Sequence, residues 1–492
     1  GGITGAGIFQ RACQSGWRCL LVDQRDFAWG TSSRSGKLVH GGLRYIAQGQ
    51  LLTSLHAVRQ RERLLRDYAG LVEPLQFALA RPRGGFPVWL AGKIVFSLYD
   101  MMAGRRGHRY YRERQFRDLA PGLTTIGRGG FVYLDGITDD ARLVLRVIRA
   151  GQLLGGTAIN YLQVADLLRT GDGRVRGVAL RDAVGDRSWE IPARVVINAT
   201  GAWADELRQR LGHRPRLRRL RGSHLIVAHQ RLPLQRAMGI RSPRDGRMMY
   251  AIPWQGVTLV GTTDLDHDQP LSYEPHITVE EGEYLLEAAN HWFPQAELTA
   301  ADVISTQGGV RPVVGTGKKD PSKESRDESV WSDPGLVTVA GGKLTTFALM
   351  ARRALAAAKR SLGKPPTPDR ERPALPATPD DPARRRLSGR YGAVTDQVLA
   401  LTDGEPRPIA GTDFVWAELR WAARREQVMH LDDLLLRRTR IGLLLPEGGA
   451  QLLDPIRAAV QADLGWSDER WQREAERYRE LWRRAYSPAL LG

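Results

Sequence analysis

Apolar positions return at helical spacing over residues 53–68, where Leu55, Val58, Leu65 and Tyr68 form one face. A second helix is expected from Asp139 and Asp140, acids that suit the positive end of a helix, running through the apolar stretch 143–148. Thr278 followed by Glu281 reads as a capping box opening a helix through Trp292. Between these lie short β-type runs at 19–22, 174–181, 194–201, 224–228, 248–253, 257–261 and 337–340, with 248–261 forming a hairpin about Trp254-Gln255-Gly256. Residues 364–382 are too rich in proline for helix or central strand and read as a semi-rigid linker. Beyond it the pattern turns helical again at 417–427, 431–440, 452–464 and 468–486.

Composition narrows the class. The chain has 492 residues, 42% hydrophobic and 26% charged, which excludes wholesale disorder and allows two or three domains. Lys and Arg number 72 against 54 Asp and Glu, a net charge of +18, and nearly all of the surplus is Arg. Arg binds phosphate and carboxylate through paired donors, so the expected partners are nucleic acid, an anionic membrane or a phosphorylated substrate. Cys13 and Cys19 cannot build a disulfide framework and read as small buried side chains in a reducing compartment. No uncharged stretch reaches the roughly 20 apolar residues of a spanning helix.

The chain opens on Gly1-Gly2-Ile3-Thr4-Gly5-Ala6-Gly7, a helix, and a short aliphatic strand ending at Asp23. That is the second half of a dinucleotide-binding βαβ unit, with Gly2 and Gly5 as its second and third fingerprint glycines. The first glycine and first strand would lie ahead of residue 1. Residues 30–45, GTSSRSGKLVHGGLRY, crowd hydroxyls, glycines and cations into one loop. Residues 308–312, GGVRP, hold Arg311 between a glycine pair and a proline, and 341–347, GGKLTTF, place a Gly turn before a helix start. Each of the last two alone reads equally well as a simple turn.

Taken in order with DDARLVL, INATGAWAD, RGSHLIV, GTTD and LLLRRTRIGLL, these segments resemble the FAD-dependent, quinone-linked glycerol-3-phosphate dehydrogenases. Gly36 departs from the family, which often carries a hydroxyl residue there. The resemblance implies an α/β fold: a Rossmann-like FAD-binding domain (1–75, 135–210, 305–363), an inserted mixed or antiparallel-sheet substrate domain (76–134, 211–304), the linker, and an all-helical C-terminal cap (383–492). It implies oxidation of sn-glycerol 3-phosphate to dihydroxyacetone phosphate, with FAD as cofactor and a membrane quinone as acceptor.

Expected FAD-lining residues are Gly2, Gly5, Asp23, Thr31, Ser32, Ser33, Lys37, Leu38, Ala199, Thr200, Gly201, Gly342, Lys343, Leu344 and Thr345. Arg44, Tyr45, Arg311, Arg326 and Lys343 are the expected substrate ligands, and His40 the leading base, with His224 second and Arg311 as alkoxide stabiliser. Asp264 and Asp327 are expected to hold such cations in place, and no metal is expected. Residues 86–114, apolar then basic, suit an interfacial helix, and Arg384–386, Arg424–425 and Arg437–440 are expected to add positive surface facing anionic lipid. This gives a peripheral or monotopic enzyme on the cytoplasmic face of the bacterial inner membrane, with room for a homodimer. Oxygen as the acceptor, and a basic flavin-fold RNA-binding protein, are the alternatives. Zinc spacings and aromatic RNA-binding signatures are absent from the sequence, so specific nucleic-acid binding is not expected.

Overall fold

The fold is taken from a computed structural model, which describes all residues except 48, 81–85, 121, 124–128, 316, 318–327, 367–378 and 403–405, and the side chains of 44, 47 and 86–88. The Gly-rich opening starts the helix Ile3–Gln14, which packs between Asp140–Leu153 and Phe347–Leu362. Bare α-carbons permit that approach: a Cβ at Gly7 would stand 2.6 Å from the Phe347 ring, and one at Gly151 2.5 Å from Phe9. Asp139 caps the second helix by accepting from the Arg142 N–H. Strand Leu20–Val22 pairs in parallel with Thr157–Ile159, and Val196–Asn198 in parallel with Leu336–Ala340. These parallel pairs and their three helices form the α/β part.

A ten-stranded sheet forms the other part. Its path runs Leu265–Asp266, Leu217–Ala228, Val257–Gly261, Met248–Trp254, Ala237–Arg241, Val72–Ala80, Gly129–Thr138 and Leu38–Val39. Val303–Val314 also pairs with Leu217–Ala228, and Arg109–Arg112 with Gly129–Thr138. Successive side chains point to opposite faces of a strand, and both faces are buried here. Phe77, Ile226, Ile252 and Leu259 join a core with Phe96 and Tyr99 and with Leu434, Leu435 and Ile441 near the C-terminus. Their neighbours Ala78, Leu225, Val227, Ala251 and Val260 pack on Leu285, Ala288 and Ala289 of helix Val279–Trp292. That helix starts with the expected box, Thr278 and Glu281 satisfying each other's backbone N–H.

Three expectations change. Residues 308–312 are not a turn but the middle of the 12-residue strand Val303–Val314. Glycine is needed there for close approach, since a Cβ would lie 2.9 Å from the His276 backbone at Gly308 and 2.7 Å from the Arg34 carbonyl at Gly309. The expected helix 431–440 is one turn, Leu431–Asp433, that widens into π geometry over Leu434–Arg438, with the Thr439 N–H reaching back to the Leu434 carbonyl at 2.9 Å.

The third change concerns charge. Arg437, Arg438 and Arg440 are not surface cations; each is at most 1% exposed. Arg438 bonds both oxygens of Asp26 at 2.6 and 2.7 Å, and Arg437 bonds Asp26 at 2.5 Å and Asp432 at 2.7 Å. Arg440 bonds Asp139 at 2.9 Å and also Asp140. The C-terminal helices are thus pinned to the α/β part by buried ion pairs. Of the linker, 367–378 lies outside the described residues, and its last residue, Pro382, opens the helix Pro382–Tyr391 with Asp381 as cap.

Helix Phe86–Ala103 forms where the interfacial segment was expected. Phe96 and Tyr99 turn inward, while Leu90, Ile94 and Met101 lie in one stripe on the opposite side and are 39, 52 and 71% exposed. Among the described residues, no helix is long and apolar enough to cross a membrane.

Candidate active site

One large cleft, 2510 Å³, runs from the Gly-rich helix start to the inner face of the wide sheet. A single small-molecule site is typically about 300–1,000 Å³, so the cleft has room for a dinucleotide and a second molecule.

The α/β part builds one end. The helix Ile3–Gln14 begins at Gly2 with no side-chain cap, and the Ile3 N–H is met at 2.9 Å by the Ser32 hydroxyl. A Cβ at Gly2 would come within 3.1 Å of that oxygen, so the turn and the Thr31–Ser33 segment pack closely on each other there. Thr31 anchors the segment by donating to the Val310 carbonyl at 2.5 Å. Strand Leu20–Val22 delivers Asp23 to the same cleft, its carboxylate accepting from the Arg25 N–H at 3.0 Å. After Val196–Asn198 come Ala199, Thr200 and Gly201, with Thr200 donating to the Asn198 side chain at 2.7 Å. After Leu336–Ala340 come Gly341 and Gly342, both at positive φ. Three parallel-strand ends therefore open on one crevice, the place where open α/β sheets bind ligands. Backbone N–H groups at the helix start suit a pyrophosphate, and Asp23 suits a ribose diol. The residues present fit a dinucleotide.

The wide sheet brings His224 and Arg311 to the same cleft, and His40, Tyr45 and Lys343 line it too. Lys343 sits 3.7 Å from the centre of the Tyr45 ring, a cation–π contact. Arg311 donates to Asp264 at 3.0 Å, to the Thr262 hydroxyl at 2.9 Å and to the Thr263 carbonyl at 2.9 Å. Arg247 adds a second cation on Asp264 at 3.2 Å. His224 is 3% exposed, and burial together with the Lys37 and Arg311 charges pushes its pKa down to about 3. It stands in the cleft as a neutral imidazole.

Of the expected cofactor residues, Gly2, Gly5, Asp23, Thr31, Ser32, Leu38, Ala199, Thr200, Gly201, Gly342, Lys343, Leu344 and Thr345 line the cleft. Ser33 and Lys37 do not. The Lys37 ammonium turns away beneath the lining, fully buried, to Asp140 at 3.0 Å, the Ser33 carbonyl at 2.8 Å and Gln307 at 3.3 Å. Burial lowers its pKa to about 8, with Asp140 opposing. Arg44 lies in the helix Leu43–Ala47 with its side chain outside the described set; Arg326 and Asp327 also lie outside it.

Sequence reasoning missed Gln307, Thr262 and Gly222. Gln307 lies just ahead of the 308–312 segment that the sequence singles out; in the strand Val303–Val314 it stands opposite His224 in register.

Residues 1–357 match the family model described as FAD dependent oxidoreductase, and residues 350–471 match the C-terminal domain of alpha-glycerophosphate oxidase. The chain is 36% identical over 358 residues to an aerobic glycerol-3-phosphate dehydrogenase of Staphylococcus haemolyticus, and 36% over 360 residues to that of Bacillus subtilis. Each match covers 71% of this chain and 64% of the relative, so the chain spans less than two thirds of their length. Among solved structures, the glycerol-3-phosphate dehydrogenase from Bacillus halodurans complexed with FAD is similar at TM-score 0.77 and 29% identity, covering 98% of this chain and 93% of that one. An L-alpha-glycerophosphate oxidase from Mycoplasma pneumoniae with FAD bound shares the fold at TM-score 0.58 and 17% identity, covering 75% and 96%.

Proposed function

Because the chain belongs to the FAD-dependent oxidoreductase family, we propose that it binds FAD and oxidises sn-glycerol 3-phosphate to dihydroxyacetone phosphate, handing the electrons to a membrane quinone. The observation that carries this reading is the shared lining of a single cleft. Gly2, Asp23, Ala199, Thr200, Gly201 and Gly342, at the Gly-rich helix start and the parallel-strand ends, line the same cleft as Arg311, Lys343, His40 and His224.

Bound FAD supplies the two-electron acceptor. The protein's part is to hold the substrate and manage charge. A phosphate monoester carries roughly two negative charges near neutral pH, and Lys343 and Arg311, with Arg44 and Arg326 by their sequence motifs, supply the compensating cations. Arg311 is held by three partners and cannot swing freely, so its guanidinium favours alkoxide character on a hydroxyl placed beside it. It does not take the proton, because a guanidinium stays protonated. His40 accepts it. Asp264 aims Arg311.

The stripe Leu90, Ile94 and Met101, with the positive net charge, supports a peripheral stance on an anionic bilayer, at the cytoplasmic face of the bacterial inner membrane. The match of residues 350–471 to a glycerophosphate oxidase domain favours one second reading, oxygen as acceptor.

The test is the visible spectrum of the flavin-loaded protein. Glycerol 3-phosphate is expected to bleach it, and glycerol or an amino acid to leave it unchanged; an unbleached spectrum with glycerol 3-phosphate refutes the reading. Reoxidation by a soluble quinone analogue, against peroxide formed in air, separates the two acceptors.

A further inference from the structure

His224 and Gln307 face each other across neighbouring antiparallel strands, Leu217–Ala228 and Val303–Val314. Both are buried, at 3% and 1% exposure. The orientation of the Gln307 amide follows from its partners. The Lys37 ammonium, 3.3 Å away, can only donate, so it must meet the amide oxygen. The Ser35 carbonyl, at 3.0 Å, can only accept, so it must meet the amide nitrogen. The other hydrogen of that nitrogen then faces His224 Nδ1 at 3.4 Å. Nδ1 is consequently an acceptor. A neutral imidazole carries one hydrogen, and here it must sit on Nε2.

The other end of the ring faces Gly36, and His224 lines the cleft. A Cβ at Gly36 would lie 3.3 Å from Nε2, and glycine puts no side chain there. Behind Gln307 the chain of contacts continues through Lys37 to Asp140, whose carboxylate also binds Ser35 through its N–H at 2.9 Å and its hydroxyl at 2.7 Å. The amide is therefore gripped on both sides by one buried cluster, and rotating it would set ammonium against NH2 and carbonyl against carbonyl.

We propose that Gln307 is a positioning residue that locks His224 in the Nε2–H tautomer, so that His224 offers the cleft a hydrogen-bond donor rather than a proton acceptor. A donor there steadies negative charge developing on a substrate oxygen, and the hydroxyl proton departs to a different base. Gly36 puts no side chain over that donor. The role in turnover rests on the oxidation proposed above, but the tautomer depends on Gln307 alone.

The experiment is long-range 1H–15N NMR on the flavin-loaded full chain with 15N-histidine, His224 being assigned by the loss of its signals in His224→Gln. The expected pattern is a protonated Nε2 and a bare Nδ1, unchanged between pH 6 and 8. A bare Nε2, or a cation in that range, overturns the proposal. Gln307→Glu replaces the donor with an acceptor and is expected to move the hydrogen to Nδ1 and lower kcat at least tenfold with less effect on KM; an unmoved hydrogen overturns it. His224→Gln, which keeps an N–H donor but no base, is expected to hold kcat within about tenfold of the parent, while His224→Ala loses roughly a hundredfold or more. Equal losses in the two variants overturn the donor role. Absence of bleaching by glycerol 3-phosphate would refute the substrate reading while leaving the NMR result standing.

Discussion

Arg311 lies against the bare α-carbon of Gly222: a Cβ at position 222 would fall 1.8 Å from its Nη2. The two residues sit on paired strands, where Gly222 registers with Gly309 and Arg311 with Leu220. The guanidinium crosses that gap to reach Asp264 and Thr262. Gly222→Ala is therefore expected to expel Arg311 from its three contacts. Steady-state kinetics should show kcat/KM for glycerol 3-phosphate reduced about a hundredfold, with flavin content retained. Unchanged kinetics would show that Arg311 does not act from this position.

The neutrality of His224 makes stability depend on acid. Its folded pKa, about 3, lies below the unfolded value near 6.5. Only the unfolded chain takes up this proton between those limits, so the stabilisation is complete above pH 6.5 and is lost as pH falls toward 3. The full loss is on the order of 5 kcal/mol. Denaturant unfolding at several pH values should find a shallower acid limb in His224→Gln than in the parent chain.

Asp26 is fully buried between Arg437 and Arg438. Asp26→Asn leaves two buried guanidiniums short of a counter-charge, which costs about 3–5 kcal/mol. The midpoint of chemical unfolding should fall accordingly. A loss within 0.5 kcal/mol, about that of an ordinary surface change, would mean water reaches the pair.

On the outer helix, Ile94→Glu and Met101→Glu place charge in an exposed apolar stripe. Co-sedimentation with anionic phospholipid vesicles should weaken several-fold, with stability changed by less than about 0.5 kcal/mol. Binding that is unaltered would remove this helix from the membrane-facing side.

Local signals were the ones readable in the sequence. The Thr278–Glu281 box needs only residues three apart, and it formed as expected. The Gly-rich start and Asp23 belong to a unit whose spacing is fixed by one helix and one strand, and both line the cleft. What failed depended on distant partners. Arg437, Arg438 and Arg440 look like a basic patch until Asp26, Asp139 and Asp140, some 300 to 400 residues earlier, are brought beside them. Gly308 and Gly309 suggest a turn because the groups that forbid a Cβ there, at His276 and Arg34, are not sequence neighbours. Lys37 was placed in the cleft by its motif, but Asp140 holds it one layer below.

The clasp between Asp26 and Arg438 spans 412 residues, and that between Asp140 and Arg440 spans 300. During synthesis the acids emerge first and these arginines hundreds of residues later. Until residue 440 clears the ribosome, Asp26 lacks both of its arginines and Asp139 and Asp140 lack Arg440, so water must hold what those cations later take over. The α/β part consequently completes its buried charge only when the segment 437–440 arrives beside it.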